Sequence, residues 1–84
     1  MALSYQPFDE LIAQLRVDNH TKMADELDFM LHQVAWTTGS ELVGELGLKI
    51  LTFQNQAERI SPNLQRAIEA SMKIIRQVWP DMGR

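Results

Sequence analysis

Apolar positions recur along the chain at spacings of three and four residues, and no sustained alternation competes for a strand. Phe8, Leu11, Ile12 and Leu15 mark the inward face of a short first helix. Pro7 suits its first turn, Asp9 and Glu10 suit its positive end, and Asn19 offers a stop. A second helix is predicted from about Thr21 to Trp36, with Met23, Leu27, Met30, Leu31 and Val34 on one stripe. The third runs from about Gly39 to Arg59 and turns Leu42, Val43, Leu46, Ile50, Phe53, Ala57 and Ile60 inward. In the fourth, Ser61 caps, Pro62 opens the first turn, Leu64, Ile68, Met72, Ile75, Val78 and Trp79 form the stripe, and Pro80 ends it. Connections of two to four residues favour antiparallel neighbours. The expected fold is therefore all-α, a compact antiparallel bundle of four helices with a short first helix. It forms a single domain over residues 1–84, with dimerisation as a way of completing it.

The segment WTTGSELVGELG, residues 36–47, begins the third helix. Thr38-Gly39-Ser40-Glu41 fits a capping box, in which the threonine hydroxyl accepts from the N–H three residues on and the glutamate reaches back. A phosphate loop needs glycine-rich backbone ahead of a lysine and a hydroxyl, whereas Glu45 follows Gly44 here and would repel a phosphate. Without a strand there is no nucleophile elbow for Ser40 to occupy. Gly44 and Gly47 still call for an explanation, since each costs roughly 1 kcal/mol relative to alanine inside a helix. They lie with Leu48 and Leu51 on the side of the third helix away from the Leu42/Leu46/Phe53 stripe. Glycines there admit a second backbone, either from the same chain or across a homodimer.

Helix two has a comparable surplus. Phe29 and Trp36, seven residues apart, fall near the face opposite its core stripe, among Asp25, Asp28 and His32. A chain of 84 residues can hardly enclose both second faces, so at least one is expected to meet another molecule. These five residues are the expected partner-binding surface, with Phe29 and Trp36 as anchors and the carboxylates as steering charges. Gly44, Gly47, Leu48 and Leu51 are the expected dimer or close helix-packing contact.

Charge sharpens the kind of partner. The net charge is −3, but residues 1–48 carry eight acids against Arg16 and Lys22, a net −6, while residues 49–84 carry a net +3. Such a split usually reflects charge pairing inside a bundle; the functional reading is an acidic face that meets a basic partner. There is no cysteine, hence no disulfide framework, thiolate metal site or thiol nucleophile. No leader pattern opens the chain, and no apolar run approaches the roughly 20 residues that span a bilayer, so a cytoplasmic protein without membrane contact is expected.

Chemistry is sparse. Asp28 and His32 have the wrong spacing for the Glu-x-x-His pairs of a ferritin-like centre and face outward, so neither metal nor cofactor is expected. No nucleophile with its base and no pair of acids in separated environments emerges, and no catalytic residue is assigned. The expectation is a non-enzymatic small acidic protein that acts by protein–protein binding. It would be a dimeric adaptor or regulator or, more sharply, an immunity- or antitoxin-type inhibitor of a basic toxin or nuclease. The alternative is a nucleic-acid-binding regulator that uses Arg66, Lys73 and Arg76 on the outer face of the fourth helix, with a helix-turn-helix around Thr37 to Ser40. Glu69, able to pair with Lys73, and Glu41 and Glu45 at the start of helix three oppose it.

Overall fold

Four helices form in the computed structural model: α1 (Gln6–Val17), α2 (Thr21–His32), α3 (Gly39–Gln56) and α4 (Pro62–Val78). The structure describes residues 5–36 and 38–83, and contains no strand among them. Residues 1–4 and Thr37 lie outside the described residues, and with them the absence of a leader and the turn of the alternative DNA-reading motif. The helices make a closed ring: α1 packs on α2 and α4, α3 packs on α2 and α4, and the diagonal pairs do not meet. The result is an all-α bundle.

The core fills the middle of that ring. Phe8, Leu11, Ile12 and Leu15 of α1 are all buried, as are Leu42, Val43, Leu46 and Ile50 of α3 and Leu64, Ile68, Met72 and Ile75 of α4. From α2 only Ala24 and Leu27 are fully enclosed, whereas Met23, Met30 and Leu31 pack against the core from its edge and Val34 is half-buried. The stripe predicted for α2 thus has the right phase but sits shallower. Ala24, which apolar periodicity passes over because of its small side chain, is completely buried.

Small residues and caps set the remaining geometry. Ser71 is buried in α4, and its hydroxyl donates to the Pro7 carbonyl of α1 at 3.3 Å, so the one buried polar side chain of α4 is satisfied. Ser61 caps α4 by accepting from Leu64 N–H at 3.1 Å, and its hydroxyl donates to the Asp18 carboxylate at 2.6 Å, which joins the end of α1 to the start of α4. Asn19 takes φ 66°, the left-handed conformation that asparagine tolerates, and so turns the chain from α1 into α2. Thr38 accepts from Glu41 N–H at 3.1 Å, as the capping box requires. The reciprocal bond from the Glu41 carboxylate is not made among the described residues.

Two helix ends differ from the sequence expectation, and the first helix is not alone in being short. α1 and α2 are equally short, 12 residues each. α3 stops at Gln56 and not at Arg59, because Ala57 is already extended (ψ 128°) on the way to Ser61, which must be extended ahead of Pro62. Ile60 still packs against the core, from the connection. α2 stops at His32, four residues before Trp36. The connections after α2 and α3 are accordingly longer than two to four residues.

Ser61→Ala removes both the cap and the link to Asp18, and should lower the unfolding free energy by about 2 kcal/mol, whereas Thr38→Ala, with a single exposed cap bond, should cost about 1 kcal/mol. Urea denaturation followed by circular dichroism measures the difference; equal losses would mean that the Asp18 link contributes nothing.

Candidate functional site

The five residues expected to form a partner surface on helix two do not stay together. Trp36 lies beyond the helix, half-buried, and its indole N–H donates to the Met30 carbonyl at 2.6 Å. The last carbonyls of a helix have no intrahelical partner, and a side-chain donor that reaches one ends the helix favourably. Trp36 is therefore a C-terminal clasp for α2 packed against the core, not an outward anchor seven residues from Phe29. Phe29 does face outward, 59% exposed.

The carboxylates around it are already engaged. Arg16 of α1 reaches Asp25 at 2.7 Å and Asp28 at 3.4 Å, while His32 pairs with Asp9 at 2.8 Å and lies 3.8 Å from Asp28. All of these side chains are substantially exposed, so each pair is worth less than about 1 kcal/mol, and Arg16 is shared between Asp25 and Asp28. The sequence asymmetry is thus relieved partly within the first half of the chain and partly by Lys49 on Glu26, which bridges α3 and α2 at 3.1 Å.

The glycines of α3 meet their own chain. A Cβ on Gly44 would stand 3.1 Å from Trp79 Nε1, and one on Gly47 would stand 3.0 Å from Ile75 Cγ2 and 3.3 Å from Met82. Trp79, expected in the inward stripe of α4, instead caps that helix, remains 44% exposed, and donates its indole N–H to the Ser40 carbonyl at 2.9 Å. Residues 79–83 then fold into a turn. Arg76 Nε donates to the Met82 carbonyl at 3.1 Å, and Gly83, at φ +85°, lies against Leu51. Of the four positions assigned to a dimer contact, Gly44, Gly47 and Leu51 are covered by this C-terminal turn. Leu48 is left 53% exposed.

Two grooves meet at Leu48. One, of about 710 Å³, runs between α2 and α3 past His20, Met23, Lys49 and Phe53. The other, of about 470 Å³, runs between the start of α3 and the C-terminal turn, past Glu41, Gly44, Trp79 and Met82. Glu45 and Leu48 line both. Neither Glu41 nor Glu45 has a cationic partner within ion-pair distance among the described residues. Periodicity marks Leu48 as surplus apolar area. It cannot show that Trp79 lines the same groove, because that depends on how the chain turns after Val78.

On α4, the three cations of the alternative reading are not equivalent. Arg76 is committed to the Met82 carbonyl, and Arg66 approaches Asn63 at 3.5 Å. Glu69 accepts from Gln65 at 3.2 Å in place of the expected Lys73 pairing. Among the described residues the histidines reach no hydroxyl: His20 sets its ring edge-on to Phe53 with centroids 5.0 Å apart, and His32 pairs with Asp9. Among the described residues no three His, Asp or Glu side chains converge on a point that could hold a metal ion, and no helix is long and apolar enough to cross a membrane. Compared with known protein families, curated proteins and solved structures, the chain matches none.

Gly47→Ala should destabilise by about 1 kcal/mol or more although it improves helix propensity, because the β-branched, fully buried Ile75 cannot give way. Gly44→Ala should be near neutral, since Trp79 can slide outward; its indole emission should shift red. Trp36→Ala should cost about 2 kcal/mol through lost packing and the lost clasp, with amide exchange accelerating in the last turn of α2. An unchanged denaturation midpoint would return Trp36 to the surface.

Proposed function

We propose that the protein acts by binding another protein and not by catalysis, and that the outer face of α3 is the surface it uses. One observation carries this reading: Leu48, more than half exposed, lines two grooves, one of which Trp79 also lines, while the buried core is formed without them. A large aliphatic residue held in water on a rigid helix, in a groove shared with a tryptophan, has the character of an interface centre. Glu41 and Glu45 border it without counter-ions, which favours a basic partner and supports the sharper form, an immunity- or antitoxin-type inhibitor of a basic toxin or nuclease.

The α2 surface supports the same kind of function less well. It keeps one aromatic anchor, Phe29, but its carboxylates are shared with Arg16. A homodimer through α3 is no longer needed to explain the glycines, which leaves Leu48 as the feature in favour of self-association. Nucleic-acid binding through α4 rests on Arg66 and Lys73 once Arg76 is engaged, well short of the roughly six to ten phosphate contacts of a strong electrostatic binder.

Leu48→Glu should leave the helical signal and denaturation midpoint nearly unchanged and weaken partner binding by about 30-fold, corresponding to roughly 2 kcal/mol at an interface centre. Affinity capture on immobilised wild type and variant, with titration of the retained partner by calorimetry, measures it. Sedimentation equilibrium at micromolar concentration shows whether that partner is a second copy. A partner held equally well by both proteins would overturn the assignment of this face.

A further inference from the structure

We propose that the groove between the start of α3 and the C-terminal turn receives an arginine side chain from a basic partner segment. This deepens the protein-binding reading above and rests on it. The groove, about 470 Å³, offers three kinds of surface within one side chain's reach. Its apolar lining includes Gly44, Leu48 and Met82. Its wall is the indole of Trp79, which is anchored by its N–H on the Ser40 carbonyl and 44% open to solvent. Its rim carries Glu41 and Glu45, one helical turn apart.

Among the carboxylates of the bundle, Asp25 and Asp28 share Arg16, Glu26 holds Lys49 and Asp9 meets His32, while Glu10, Asp18, Glu58, Glu69 and Asp81 have no cation within ion-pair distance among the described residues. Glu41 and Glu45 have none among the described residues, and like charges four apart on a helix repel each other. Glu41 is favoured by the positive end of α3, whereas Glu45, a turn further on, gains less from it. A cation placed between them would relieve that repulsion.

The chemistry selects arginine over lysine. A guanidinium is planar and weakly hydrated, so it can lie against the indole while its N–H groups donate to carboxylate oxygens, and its methylene stem can cover Leu48 and Met82. An ammonium is a compact, strongly hydrated point charge and forfeits the stacking. A phosphate or nucleic-acid occupant is disfavoured by the same two glutamates.

The two tryptophans permit a direct test, because only Trp79 lines the groove while the indole of Trp36 is bonded to Met30. The full chain, labelled with nitrogen-15, is titrated to millimolar concentration with the acetylated and amidated tripeptide Leu-Arg-Leu, and in parallel with its lysine and glutamate counterparts. The Trp79 indole resonance, assigned with Trp79→Phe, should move saturably with the arginine peptide while that of Trp36 stays still. The lysine peptide should bind several-fold more weakly, and the glutamate peptide should leave both resonances in place. Glu41→Gln combined with Glu45→Gln, exposed and isosteric changes that leave the core untouched, should abolish the arginine response.

Absence of a saturable Trp79 shift, an equal shift in the double glutamine variant, or equal affinity for the lysine peptide would overturn the proposal. So would self-association that protects the Trp79 indole without peptide, since a second copy would then be the occupant. If the arginine peptide fails while Leu48→Glu still abolishes partner binding, the arginine subsite falls and the protein-binding face stands. If the peptide binds but Leu48→Glu is without effect, the reverse holds.

Discussion

At Gly47 the backbone of α3 runs so close to α4 that a single added methyl group would stand 3.0 Å from the Ile75 side chain. That proximity governs the second half of the molecule. With α4 drawn onto α3 at Ile75, the residues after Val78 emerge over the next turns of α3, where Trp79 finds the bare backbone of Gly44 and Met82 returns over Gly47. The two glycines cost helix propensity, and the offset is an indole, a thioether and an isoleucine packed where a side chain would otherwise be. The exposure of Leu48 follows, because the turn covers positions 44, 47 and 51 and passes beside 48.

The opposite side of the ring is held differently. α1 docks on α4 through its apolar stripe and through two hydroxyls, Ser71 on Pro7 and Ser61 on Asp18, so polar atoms fix the register there. α2 is the least enclosed helix. Its ends are set by groups outside it, the left-handed Asn19 before and the Trp36 indole after, and its outward charges are matched by Arg16 and Asp9 of α1. Ion pairing therefore runs from α1 to α2 and from α2 to α3, while the cations of α4 have no carboxylate partner among the described residues.

The helices themselves are legible in the sequence because burial imposes a 3.6-residue period, and the stripes of α1 and α4 are clean enough to read residue by residue up to Val78. Periodicity fails where a side chain acts against its phase. Continuing the α2 wheel to Trp36 puts that residue on the Phe29 face, and nothing in the spacing signals that Trp36 turns back to a carbonyl six positions earlier. The same limit applies at Trp79, which falls on the apolar stripe of α4 by count yet leaves it as the helix ends. Gly44 and Gly47 are visible in the sequence as gaps; what fills them depends on contacts with α4 and the turn after it, beyond the reach of local pattern. The charge asymmetry is likewise plain, but which acids retain their field depends on where Arg16 and Lys49 reach.

The clasp of Trp36 on Met30 has a consequence for how the molecule opens. A connection between helices is ordinarily the first element to yield in local fluctuations, with the helix ends following independently. Here the connection carries the side chain that holds the last turn of α2, and at its other end Thr38 caps the first turn of α3. Loosening residues in this segment releases backbone groups in both helices at once. The α2–α3 junction thus ties the last turn of α2 and the first turn of α3 to one short connection.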